Sequence, residues 1–119
     1  MANPQWVLDL LKSVDDNDSD KFVSFLTDDC EFKFGNADAV KGNANVKAAV
    51  EGFFGSIKGL KHSNIETIIS GDVVVTPGLV TYTRHNGTTL SVNFCNLFRM
   101  KGDKIQNYNI YIDISQLYA

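Results

Sequence analysis

Three residues in this 119-residue sequence have the type and setting to do chemistry on a small molecule: Asn96, Tyr108 and His62. Asn96 interrupts an apolar face. Between Thr89 and Met100, the residues Leu90, Val92, Phe94, Asn96, Phe98 and Met100 alternate with Ser91, Asn93, Cys95, Leu97 and Arg99, the period-two pattern of a strand with one buried side. A buried carboxamide without a partner costs roughly 1–3 kcal/mol, so Asn96 either pairs inside a solid core or points into a pocket. Further along, Tyr108, Ile110, Ile112 and Ile114 oppose Asn107, Asn109, Tyr111 and Asp113. A three-residue loop at Lys101-Gly102-Asp103-Lys104, pairing Met100 with Lys104, keeps the apolar faces of these two strands together. It sets Asn96 opposite Tyr108, Phe94 opposite Ile110 and Val92 opposite Ile112. An amide and a phenol so placed can bond to each other or donate to a ligand oxygen.

Counting back across Asn86-Gly87 puts Leu79, Thr81 and Thr83 on the face of Phe94. A further count across Gly71-Asp72 adds His62 and Asn64. Imidazole takes and gives protons near neutral pH, so His62 is the candidate general acid or base; the alternative is a hydrogen-bonded structural histidine. Phe34, Val50, Phe53, Thr81, Phe94 and Ile110 are the candidate ligand contacts around these three. Neither His62 nor His85 has a second ligand at a usual metal spacing, so neither metal nor cofactor is expected.

The elements that must position these groups fall into two halves. Asn3-Pro4 reads as a helix start, Asn as cap and Pro at the first helical position, followed by a stripe of Trp6, Val7, Leu10, Leu11 and Val14. Phe22, Phe25 and Leu26 give a second helix its buried face, and Cys30, Phe32 and Phe34 alternate along a short strand. Val46, Ala49, Val50, Phe53, Phe54 and Ile57 recur at helical spacing. Gly52 and Gly55 weaken that helix by about 1 kcal/mol each relative to Ala, which suggests close contacts there. From Leu60 onward the pattern becomes a four-strand meander with turns at Gly71-Asp72, Asn86-Gly87 (a type I′ signal) and Lys101-Gly102-Asp103-Lys104, and with a bulge or bend at Pro77-Gly78. Helices followed by strands make one α+β domain over residues 1–119.

Composition narrows the function classes. The net charge is −3 and no basic cluster exceeds two residues, which gives no footprint for nucleic acid. No apolar run nears the roughly 20 residues that span a bilayer, and the first residues do not read as a secretory leader. Two cysteines make no disulfide framework, so a cytoplasmic protein with reduced thiols is expected. The second sheet face, with Tyr82, Arg84, Asn93, Asn109, Tyr111 and Asp113, lacks Lys and Glu. It reads equally as a solvated surface, with an Arg84–Asp113 ion pair available, or as a contact with a second copy.

Several stretches carry a resemblance to a known family: Leu26-Thr27-Asp28-Asp29-Cys30-Glu31-Phe32, Gly42 opening the third helix, Val80-Thr81-Tyr82-Thr83-Arg84, and Phe98 to Ile105 leading to Tyr111-Ile112-Asp113. With the order of elements, these resemble the nuclear-transport-factor-2-like superfamily, in its SnoaL-like and ketosteroid-isomerase-like branch, over nearly the whole chain. The resemblance implies N-terminal helices packed on a strongly curved antiparallel sheet, a cystatin-like conical half-barrel with a deep pocket, and commonly a homodimer. Where ketosteroid isomerases carry their general-base Asp this chain has Phe34, and their oxyanion-hole Tyr falls near Leu10. Their second oxyanion donor falls at Asn96, while the last-strand Asp of the limonene-epoxide-hydrolase-like pattern falls at Ile110. The function so implied is an isomerase, dehydratase or cyclase acting on an apolar carbonyl metabolite. The alternatives are a non-catalytic binder of a small apolar molecule and a dimeric accessory module.

Overall fold

The computed structural model describes residues 3–118. Helix α1 (Gln5–Asp15) and short helix α2 (Ser19–Val23) precede strand β1 (Leu26–Phe34), a two-residue β2 (Val40–Lys41) and helix α3 (Asn43–Gly55). Five strands follow: β3 (Gly59–Ser63), β4 (Ile68–Ser70), β5 (Val73–Thr83), β6 (Thr89–Lys101) and β7 (Lys104–Ile112). They form one open seven-stranded sheet in the order β2-β1-β7-β6-β5-β3, with β4 alongside β5. The expected helices on a curved sheet are present. The sheet is mixed, because β1 returns to lie parallel to β7, and the first meander strand is split into β3 and β4.

Local chemistry explains the helix ends. Pro4 is the residue before α1, and its carbonyl accepts from the Val7 and Leu8 N–H groups. Asn3 does not cap the helix as expected; its amide donates to the Ile65 carbonyl at 3.0 Å and its oxygen accepts from the Thr67 hydroxyl at 2.6 Å, tying α1 to the β3–β4 connection. Asp18 caps α2 through the Lys21 N–H. Leu26, expected on that helix, opens β1 instead and is buried. The apolar stripes of α1 and α3 meet the inner sheet face in a core that includes Leu10, Phe22, Val46, Val50, Phe54, Phe98 and Tyr108. The close contacts expected at Gly52 and Gly55 are absent, since a Cβ on either would meet nothing within 4 Å.

Strand register departs from expectation at both hairpins, in opposite directions. The β5–β6 turn is a three-residue loop, His85-Asn86-Gly87, with Arg84 N–H bonded to the Thr88 carbonyl and Thr83 paired with Thr89. Gly87 takes the positive φ of 87° and Asn86 does not, so the turn is not type I′. One extra loop residue turns all of β5 over. Val80 and Tyr82 face inward and Thr81 outward, the reverse of the expected assignment. The β6–β7 turn is the two-residue Gly102-Asp103, with Lys101 paired to Lys104. A bulge at Gln106 then restores the faces, since Met100 pairs with Ile105 but Arg99 with Asn107. Asn96 therefore lies opposite Ile110, Phe94 opposite Ile112 in place of Val92, and Tyr108 opposite Phe98. The faces are as expected and the partners are shifted by two.

Pro77-Gly78 makes no bulge, and the β5–β6 register runs through it unbroken. Pro77 is tolerated because β5's other edge is interrupted there: β4 covers Val73 to Val75, β3 covers Leu79 to Thr83, and between them the Glu66 N–H donates to the Pro77 carbonyl. Gly78 has a different role. A Cβ there would lie 2.8 Å from the Phe94 ring and 3.1 Å from the Ser63 carbonyl oxygen, so its bare backbone lets the Phe94 ring lie across β5.

Candidate functional site

Between the helices and the inner sheet face is a cavity of about 280 Å³, close to the smallest size typical of ligand pockets. Aromatic rings and aliphatic side chains make its wall. Phe34 and Phe53 lie with centroids 4.9 Å apart, and Phe53 meets Tyr82 edge-on at 5.8 Å. Phe94, Val50, Ile110 and Ile112 continue the lining, and Ile114 adds the chain beyond β7.

The cavity gathers Asn96, Tyr108 and His62. Asn96 and Tyr108 are each 2% exposed. Among the described residues no side-chain hydrogen bond engages either, so the expected cross-strand Asn96–Tyr108 pair is absent, a consequence of the shifted register. Phe34, Val50, Phe53, Phe94 and Ile110 also line the cavity; Thr81 does not. On the outer face Thr81 shares a hydrogen bond of 2.8 Å with the Ser91 hydroxyl. Tyr82, expected outside, is 3% exposed and lines the cavity in its stead.

His62 reaches the cavity through two register shifts that cancel. The loop after β5 turned that strand over, and a slip between β4 and β3, where Asn64 adopts a φ of 53°, moves His62 from opposite Thr81 to opposite Val80. Its ring meets Phe94 edge-on, with centroids 5.1 Å apart. Its Nδ1 lies 2.6 Å from an Asp15 carboxylate oxygen, and its main-chain N–H donates to the same carboxylate at 3.1 and 3.2 Å. The ring is 10% exposed and the carboxylate 23%. A carboxylate on Nδ1 favours the tautomer that carries its proton there and leaves Nε2 as the basic nitrogen.

Sequence reasoning missed two acids here. Asp15 is the last residue of α1, and its link to His62 spans 47 residues. Asp38, on the loop between β1 and β2, lines the cavity while remaining exposed, which places it at the mouth. Burial pushes the phenols of Tyr108 and Tyr82 well above their ordinary value, with a smaller contribution from a neighbouring tyrosine in each case. Both therefore stay protonated and able to donate. Among the described residues, no three His, Cys, Asp or Glu side chains gather as a metal site requires, and no helix is long and apolar enough to cross a membrane.

Arg84 is not paired with Asp113. Its guanidinium holds the carbonyls of Leu117 and Gln116, at 2.9 and 3.0 Å, and so pins the chain beyond β7 across the end of the sheet. Asp113 accepts from the Ser115 N–H instead.

A family model described as a SnoaL-like domain matches residues 7–108. No curated protein matches the chain. Solved structures match along almost its whole length. One assigned as a polyketide cyclase, from Xanthomonas campestris pv. campestris, is 16% identical with a TM-score of 0.87, over 95% of this chain and 91% of that one. A protein of ketosteroid-isomerase-like fold from Catenulispora acidiphila, in complex with trimethylamine, is 14% identical with a TM-score of 0.88, over 96% and 89%. A limonene-epoxide-hydrolase-like epoxide hydrolase from M. tuberculosis is 16% identical with a TM-score of 0.79, over 96% and 84%. At these identities the likeness is one of fold.

Proposed function

Because the chain belongs to the SnoaL-like domain family of the nuclear-transport-factor-2-like superfamily, we propose that its cavity binds an uncharged, largely apolar carbonyl compound and moves a proton on it, as isomerases, dehydratases and cyclases do. One observation carries the reading: His62, held through Nδ1 by Asp15, lines the same apolar cavity as Asn96 and Tyr108. In the step, Nε2 of His62 takes a proton from the carbon beside the carbonyl. The C–H electron pair becomes the enolate, whose oxygen gains negative charge. Asn96 and Tyr108 donate to that oxygen where little water competes. His62 then returns the proton, to the same carbon or to another along the conjugated system. The assignments of structural neighbours as a polyketide cyclase and an epoxide hydrolase support a small-molecule enzyme without fixing its reaction.

Proton exchange tests this without knowledge of the natural substrate. In D₂O, wild-type protein should speed exchange of the α-protons of 2-tetralone above the buffer rate. His62→Ala should lower that rate about 10²- to 10⁴-fold, and Asn96→Ala about 10²-fold. Wild-type protein no faster than buffer, or full activity in His62→Ala, would refute the catalytic reading. Phe34, an apolar ring where a ketosteroid isomerase carries its base, favours a second reading as a binder. That reading is upheld if 2-tetralone binds and does not exchange.

The outer sheet face fits a second copy of the chain. Ile68, Val75 and Leu97 form one row across it, and Pro77, Cys95 and Tyr111 another. Ile68 is 59% and Tyr111 60% exposed. We propose a homodimer through this face, burying at least about 1,000 Å². Light scattering at tens of micromolar should give twice the chain mass, and Leu97→Lys should halve it. A wild-type monomer would sink the proposal.

A further inference from the structure

Directly opposite Asn96, on the same inner face, stands Thr76. It is 0% exposed, and its hydroxyl has no hydrogen-bond partner. Buried hydroxyls are nearly always paired, and opposed residues on one face of an antiparallel pair bring their Cβ atoms within about 4.5–5.5 Å. The carboxamide of Asn96 is therefore the polar group across the strand pair that a turn of the Thr76 side chain can reach.

We propose that the Thr76 hydroxyl donates to Oδ1 of Asn96 and so turns the amide N–H₂ toward the cavity, making the Asn96 end a subsite for a ligand oxygen that only accepts hydrogen bonds. The chemistry has one consistent direction. A carboxamide presents an acceptor on one side and donors on the other. Left free, Asn96 would serve a carbonyl or a hydroxyl proton equally well. With Oδ1 occupied by Thr76, only its N–H groups face the ligand. Tyr108, one same-face step along β7 from Ile110, adds a phenol that burial keeps protonated. Two donors, with the amide oxygen turned away, favour a ketone, an enone or its enolate over an alcohol. Thr76 touches no ligand in this arrangement and acts as a positioning residue. The inference rests on the carbonyl reading above and adds the group that sets its polarity.

Nuclear magnetic resonance of the free protein tests the orientation directly. The expected result is a Thr76 hydroxyl proton protected from exchange, with the Asn96 side-chain N–H₂ protons showing Overhauser contacts to Tyr108 or Ile110. Strong contacts from those protons to the Thr76 hydroxyl would place the amide the other way round and overturn the proposal. The binding arm compares 2-tetralone with tetralin, the same skeleton without the oxygen. Thr76→Val should reduce the preference for the ketone about three- to tenfold and leave tetralin affinity unchanged, while Thr76→Ser restores the preference. An equal loss for both probes, or an unchanged preference in Thr76→Val, refutes the positioning role. Failure of wild-type protein to bind either probe would count against the pocket reading, and the orientation result would still decide the inference.

Discussion

Asp15 grips His62 at two points, the ring and the main-chain N–H, and this makes the imidazole directional. An isolated histidine on a strand chooses its tautomer by chance contacts. Here a carboxylate 2.6 Å from Nδ1 chooses it, and Phe94 stops the ring from turning away. Asp15→Asn keeps the size of the side chain and lets an amide N–H point at Nδ1, which favours the opposite tautomer with Nε2 protonated. Exchange of 2-tetralone should fall about 10²-fold, within the range a general base supplies. The ¹⁵N shifts of the ring should report the inverted tautomer while the thermal midpoint changes little. A normal exchange rate with an inverted tautomer would show that His62 is not the base. Nothing local in the sequence marks Asp15 for this role, because it stands in a run of acidic residues that suit a helix end equally well.

At the level of strands, the cavity depends on how Gly78 and Phe94 share space. Adding a methyl group at position 78 forces the Phe94 ring to move, and His62 blocks one direction of escape. Gly78→Ala should therefore destabilise the fold by about 1–3 kcal/mol, the usual cost of overpacking. Phe94→Leu in the same chain should recover part of that loss, read from urea midpoints; a neutral Gly78→Ala would refute the close packing. The strands themselves were legible in the sequence, since Val92, Phe94, Asn96 and Phe98 alternate too cleanly for any other reading. The loops between them were not. Asn86-Gly87 is a strong local signal for a two-residue turn, but Asn86 instead bonds the Thr88 N–H and hydroxyl through its own side chain and leaves the positive φ to Gly87 alone. A single residue in that loop decides whether Thr81 or Tyr82 meets a ligand. Asn96 stood out as the one amide on an apolar face, and Thr76, just before the Pro77-Gly78 step where the alternation is interrupted, gave no such signal.

Across the whole molecule, the family and its layered fold were visible because helix periods, strand alternation and the order of elements agree over nearly every segment. The packing of helices against the sheet leaves Tyr82 and Tyr108 inside, and the protons on those two phenols tie the fold to pH. In the unfolded chain a phenol ionises near pH 10; in the folded chain burial holds the value higher. Below about pH 10 both states keep these protons and their contribution to stability is complete. As pH rises beyond it, the unfolded chain releases protons that the folded chain retains, and stability is lost progressively up to the folded values. The thiols of Cys30 and Cys95, also raised by burial, begin the same decline from about pH 8.5. Urea midpoints should stay level from pH 7 to about 8.5, drop through pH 11, and drop less steeply in Tyr108→Phe. A flat profile to pH 11, or an unaltered slope in that variant, would contradict the assignment. The burial that keeps both tyrosines as donors thus sets a ceiling in alkali on the fold that holds them.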